Sequence, residues 1–100
     1  MKKKKYSWIP NPIRRKVSIS SQGKCYWCNK EANKMILDQW GIPRFYEGAI
    51  SFEFDHKLPE MFGGKTNLEN IVLSCRSCNR SRSRLSEDEL KGLEELKSKF

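Results

Sequence analysis

Two cysteine pairs of identical spacing, Cys25-x-x-Cys28 and Cys75-x-x-Cys78, flank positions 29–74 and constrain this chain more than any other feature. A Cys-x-x-Cys turn brings two thiolates to one point, and two such turns complete a tetrahedral zinc site with no position left for water. A site of that kind is structural: it ties the start of a domain to its end and contributes directly to folding. Four cysteines would also suit two disulfides. However, Lys2, Lys3, Lys4 and Lys5 are followed by no apolar run, and Pro10 and Pro12 interrupt the segment instead. Without an export signal the thiols are expected to stay reduced, so the paired spacing reads as metal. No stretch approaches the ~20 apolar residues that a membrane span needs, which leads to the expectation of a soluble intracellular protein, in cytoplasm or nucleoid, or in the nucleus of a eukaryotic host.

A chain of 100 residues suggests one small domain, and such domains commonly need a metal or disulfides to supplement a modest core. The net charge of +8 is unevenly spread. Residues 1–50 carry 11 basic and 3 acidic side chains, whereas residues 51–100 carry 9 of each. Within the neutral half, Arg76, Arg80, Arg82 and Arg84 crowd the second cysteine pair, while the acidic residues gather in the tail. A local basic surface suits the electrostatic footprint of a phosphate backbone. Solubility alone would explain scattered lysines, but not arginines clustered beside Asn79.

Residues 1–12 read as a flexible basic arm, in which Tyr6 and Trp8 either stack on bases or pack on the domain. The lysine run also resembles a nuclear localisation signal. Asn11 and Pro12 announce a short helix over residues 13–21, ended by Gly23. Met35 to Leu37 and Arg44 to Tyr46 are short strand candidates around a turn at Gly41. From Ile50 to Phe54 the alternation of Ile50, Phe52 and Phe54 with Ser51 and Glu53 predicts one half-buried strand, which delivers Asp55 and His56 at its end. A loop through Pro59 and Gly63-Gly64 leads to a strand near Ile71 to Leu73, then to a helix from Cys75 to about Arg84. Ser86-Glu-Asp-Glu89 fits a capping box for a tail helix whose Leu90, Leu93 and Leu96 stripe packs on the domain or forms a dimer seam.

Once thiols fill the zinc site, His56, the only histidine in the chain, has no structural task. Asp55 offers a hard oxygen suited to Mg2+ or a similar ion, and Asn79 offers an amide oxygen at a helix start. A neutral imidazole can take a proton from water near physiological pH, while a cation stabilises charge on a scissile phosphate. Each residue also has a plain structural use: His56 as a surface or capping histidine, Asp55 as a turn cap, and Asn79 as a backbone partner of the knuckle.

The run Phe54-Asp-His-Lys-Leu-Pro59, then Gly63-Gly64, Asn67-Leu-Glu-Asn70-Ile-Val-Leu73 and Cys75-Arg-Ser-Cys78-Asn79-Arg-Ser-Arg82 resembles the HNH endonucleases, including the HNH nuclease domain of CRISPR effectors. The resemblance covers roughly residues 13–84. It implies an α+β fold, a small zinc-stabilised ββα-metal (treble-clef-like) domain, here extended by a C-terminal helix over residues 85–100. It also implies that His56 is the general base and that Asp55 and Asn79 hold a catalytic Mg2+, Mn2+ or similar ion. Asn70, which has a common loop-closing use as well, would steady the loop and help orient the base. Asn79 stands where the family often has histidine, a departure bearing on metal preference.

The expected function is therefore a metal-dependent DNA endonuclease, with Zn2+ as structural ion, RNA as a second candidate substrate, and a monomer or weak homodimer as its state. Lys2, Lys3, Lys4, Lys5, Arg14, Arg15, Arg76, Arg80, Arg82 and Arg84 are the expected nucleic-acid contacts. The alternative is a zinc-stabilised nucleic-acid-binding module without turnover, which leaves Asp55, His56 and Asn79 unexplained.

Overall fold

The computed structural model describes residues 8–99. The expected contacts at Lys2, Lys3, Lys4 and Lys5, and Tyr6 with them, lie outside the described residues. The elements run α1 (Asn11–Ser21), β1 (Lys34–Leu37), β2 (Pro43–Glu47), β3 (Ile50–Ser51), β4 (Glu53–His56), a 3-10 turn (Glu60–Phe62), β5 (Ile71–Ser74), α2 (Arg76–Arg82) and α3 (Glu87–Lys99). The fold is the small α+β arrangement expected, and no described helix is long and apolar enough to cross a membrane.

Helix α1 begins two residues earlier than expected. Pro10 occupies its N-cap and accepts the N–H groups of Ile13 and Arg14 at 3.1 and 3.0 Å. The Asn11 side chain does not cap; its Oδ1 accepts from Arg14 at 3.3 Å instead. The chain leaves α1 through Gln22 and Gly23, at φ 55° and 77°. Glycine suits the second position twice over, because a Cβ there would lie 3.0 Å from the Phe45 ring and the backbone is left-handed.

β1 and β2 form an antiparallel hairpin in the register Lys34↔Tyr46 to Leu37↔Pro43. Its turn closes on Asp38, whose Oδ1 accepts the N–H groups of Trp40 and Ile42 at 2.9 and 3.0 Å. The stretch from Ile50 to Phe54, expected as one strand, is divided between two sheets. Ile50 and Ser51 extend the first sheet by pairing with β2, whereas Glu53–His56 pairs with β5. Between them Phe52 turns inward to 4% exposure. A period-two pattern reports which side chains face the core, but not which strand the backbone joins.

The core gathers Val17 of α1, Phe52, and Ile71 and Leu73 of β5 around Cys25 and Cys75. α1 lies across β5 and touches β2. Burying each of the large side chains contributes about 1.5–3 kcal/mol, little in total for so small a set. The four cysteine sulfurs all lie within 4.8 Å of one another, and none is in a disulfide. The first knuckle closes by Cys25 N–H donating to Lys30 O and Asn29 N–H to Cys25 O, both at 2.9 Å, with Asn29 left-handed at φ 69°. Tyr26 N–H donates to Leu73 O at 2.9 Å, which fastens this knuckle to β5 beside the second one. Cys75 is the N-cap of α2 and accepts the Asn79 N–H at 3.0 Å.

The thiols themselves call for a cation. Burial opposes ionisation of Cys25, but the backbone N–H groups of Cys75, Cys28 and Trp27 outweigh it and bring its pKa to about 7. Burial, and then the neighbouring sulfurs, push Cys78 upward, and burial does the same for Cys75. One thiolate forms readily and obstructs the next, a conflict that Zn2+ removes by binding all four. The four cysteines are a zinc-binding cluster.

Helix α3 starts at the expected capping box: Ser86 N–H donates to Glu89 Oε1 at 2.9 Å, and Glu89 N–H to Ser86 Oγ at 3.2 Å. Of the leucine stripe only Leu90 is buried; Leu93 and Leu96 remain 38% and 54% exposed.

Zinc removal is expected to unfold the domain. Binding worth about 10–16 kcal/mol in zinc-finger peptides exceeds the ~5–15 kcal/mol net stability of an ordinary domain. Chelation, or Cys78→Ser, should abolish the cooperative thermal transition followed by circular dichroism, with elemental analysis reporting the lost zinc.

Candidate functional site

Strand β4 delivers Asp55 and His56 to a cleft of about 620 Å³ that Asn79 of α2 also lines. Three of the expected chemical residues are therefore gathered in one place, by a hairpin and the helix that leaves it. The hairpin is held in the register Asp55↔Val72 and His56↔Ile71, and α2 packs back on β4. Glu53, Glu60, Arg14, Arg44, Arg82 and Ser83 also belong to the polar lining of this cleft.

His56 is 7% exposed, and its Nε2 lies 2.9 Å from Thr66 Oγ1. The Thr66 hydroxyl in turn donates to Glu60 Oε2 at 3.3 Å. With that proton committed to Glu60, the Thr66 oxygen accepts from His56 Nε2, an arrangement that in the neutral ring leaves Nδ1 as the acceptor nitrogen. Sequence reasoning missed Thr66 and Glu60. They are polar loop residues with no spacing signal, and only the fold brings them to the imidazole.

Asp55 is held on one side. Its Oδ2 accepts a hydrogen bond from Arg82 Nη1 within an ion pair. Burial pushes its carboxyl pKa up, and the Arg82 guanidinium pulls in the opposite direction. The Trp27 indole N–H helps Arg82 from a position that does not close a regular hydrogen bond.

Asn79 donates through Nδ2 to Glu53 Oε1 at 2.6 Å. That contact assigns the two ends of the amide and leaves Oδ1 as the available acceptor. Glu53 was missed, although its position two residues before Asp55 puts both carboxylates on one face of the strand. The oxygens of Asp55 and Asn79 are hard donors, a set that fits a small divalent cation.

Asn70 works elsewhere. Its Oδ1 accepts the Leu58 N–H at 2.9 Å, and Nδ2 donates to Leu58 O at 3.0 Å and Lys65 O at 2.8 Å. These bonds occupy the whole amide and clasp the two ends of the loop that follows His56. Lys57 N–H donates to Asn70 O at 2.8 Å and closes the same junction. Gly64 belongs to this clasp: a Cβ there would lie 1.7 Å from Leu58 O and 2.9 Å from Asn70 Nδ2. Within the expected loop, Gly64 has the task of letting that carbonyl and amide pass, whereas nothing lies within 4 Å of a Cβ at Gly63.

The expected nucleic-acid contacts separate into three kinds. Arg76, Arg80 and Arg84 are exposed. Arg14 reaches the cleft but is packed between the Trp40 and Phe54 rings, 5.8 and 5.6 Å from their centroids, with Asp38 3.8 Å away. Arg15 is exposed and donates to Trp40 O at 3.0 Å. Arg82 departs from the expectation of a surface contact: it is 6% exposed and its guanidinium is turned inward onto β4. Helical spacing placed it near the cleft, yet the strand end it meets is remote in sequence. Arg44 lines the cleft without having been singled out.

Residues 44–85 match the family model described as HNH endonuclease. The matched stretch contains β4, the loop, β5, α2 and the second cysteine pair, and so spans the cleft's chemical residues. No curated protein matches the chain.

Gly64→Ala should destabilise the protein by about 1–3 kcal/mol or more, the cost of overpacking a filled site. Urea unfolding checks this, with Gly41→Ala as comparison because nothing lies within 4 Å of a Cβ there and only its φ of 74° is strained.

Proposed function

We propose, from the HNH domain at residues 44–85, that this protein is a divalent-metal-dependent endonuclease hydrolysing phosphodiester bonds in DNA. The observation that carries the reading is the convergence of His56, Asp55 and Asn79 on one cleft, while cysteine alone furnishes the zinc cluster. His56 Nδ1 takes the proton from the attacking water, because Thr66 and Glu60 engage its Nε2. Asp55 and Asn79 would hold a Mg2+, Mn2+ or similar ion, with Glu53 keeping the Asn79 oxygen directed at it. When bound, that cation supplies Lewis-acid stabilisation of charge on the phosphate and the leaving oxygen.

The remaining groups bind and position. Arg44 and Arg14 give the cleft positive charge where a phosphate must approach. Asn70 keeps the loop beyond His56 closed, so that Thr66 stays beneath the imidazole. The exposed Arg76, Arg80 and Arg84 extend a basic surface along and beyond α2, suited to backbone contacts that carry affinity but little sequence selectivity. One cleft per chain cuts one strand, leaving a 5′-phosphate and a 3′-hydroxyl.

Plasmid nicking with Mg2+, Mn2+ or EDTA tests the proposal. The wild type should nick with a divalent ion and stop in EDTA, and His56→Ala should lose about 10²–10⁴-fold in rate, the usual contribution of a general base. Retained DNA binding with no nicking under any ion would instead favour a binding module.

A further inference from the structure

Arg82 is the buried charged group that the cleft chemistry does not use. Its Nη1 donates to Asp55 Oδ2 and to His56 O, the latter at 3.4 Å, and its Nη2 donates to Lys57 O at 2.5 Å. A single guanidinium thus binds three successive residues where β4 ends. Its other face lies on the Trp27 ring, 3.8 Å from the centroid. Trp27 stands between Cys25 and Cys28 in the first knuckle, and Tyr26 meets its ring edge-on at 4.8 Å. Arg82 is 6% exposed, its Nη1 and Nη2 bind the end of β4, and its Nε, which has no partner, is buried, so the guanidinium is not a surface contact.

We propose that Arg82 is a positioning residue that sets the Asp55–His56 pair, and that Trp27 makes its orientation depend on the zinc cluster. A planar fork held against an aromatic face fixes direction in a way that a point charge on a flexible stem does not. The zinc-loaded knuckle holds Trp27, Trp27 holds the guanidinium plane, and the guanidinium holds a carboxylate and two carbonyls. The Asp55 carboxylate, which lines the cleft, is thereby fixed in orientation, and the imidazole next to it is kept in register.

Because His56 is the only histidine in the chain, its ring signals in NMR report the pair without any cleavage. In Arg82→Lys, with zinc content and cooperative melting retained, the single His56 signal should shift or split into several. Mn2+ affinity should fall about 10- to 100-fold, and kcat by a similar factor, the usual effect of losing a group that orients a metal ligand. KM for DNA should change by no more than about twofold. Zinc-loaded Trp27→Leu should alter the His56 signal in the same direction. Arg80→Ala, by contrast, should lower DNA affinity and its salt slope by about one while leaving that signal unchanged.

An unchanged His56 signal and Mn2+ affinity in Arg82→Lys, with a reduced salt slope, would make Arg82 a phosphate contact and overturn the proposal. An unaltered signal in Trp27→Leu would overturn the link to zinc. Should Arg82→Lys lose zinc, Arg82→Gln carries the same comparison, and should Trp27→Leu lose it, Trp27→Met does, since each again removes the fork or the ring. Only the Mn2+ and kinetic measurements rest on the nuclease reading. A wild type that never nicks sinks that reading, and leaves the His56 signal to judge the positioning.

Discussion

Four thiols within 4.8 Å of one another cannot all ionise without a cation among them, and the remaining architecture depends on that requirement. Filling the cluster joins residue 25 to residue 78 across most of the domain. It also sets directions. Cys75 caps α2, so Asn79 emerges one turn later facing β4, and Cys25 with Cys28 holds Trp27 against Arg82. A core cluster of six buried residues among those described, two of them cysteines, would be a weak frame for such alignments.

The cleft shows how a small fold divides labour among polar residues. Asn70 spends every donor and acceptor of its amide on the loop, and Glu53 spends one oxygen on Asn79. Neither group needs to touch a reacting atom to matter. The buried Arg82–Asp55 pair fits the same pattern. Desolvating two charges recovers little net stability even in good geometry, so the pair is better understood as fixing a direction than as strengthening the fold. The upward pressure of burial on the Asp55 pKa is the visible sign of that desolvation.

Much of this was legible in residue order because the relevant physics is local or periodic. The cysteine spacing foretold the zinc cluster, Ser86 and Glu89 foretold the cap of α3, and Asp55-His56 followed by Cys78-Asn79 foretold the cleft. The strands around residues 34–47 were also recognisable, as short apolar and aromatic stretches either side of a turn at Gly41. Less legible was the break at Phe52, since alternation is the same whether a chain stays in one sheet or passes into another. Arg82 was counted with its exposed neighbours because charge alone does not reveal burial.

The sequence by itself determined the metal cluster, the α+β class and the tail helix, and it marked Asp55, His56 and Asn79 as candidates, since each is written in spacings of two to four positions. Only the tertiary structure decided how those residues are held. Glu53 with Asn79, Thr66 with His56, and Arg82 with Asp55 and Trp27 are pairings across 26, 10, 27 and 55 positions respectively. No propensity or period encodes contacts of that kind; they exist because zinc and a small core bring one helix against the end of one strand.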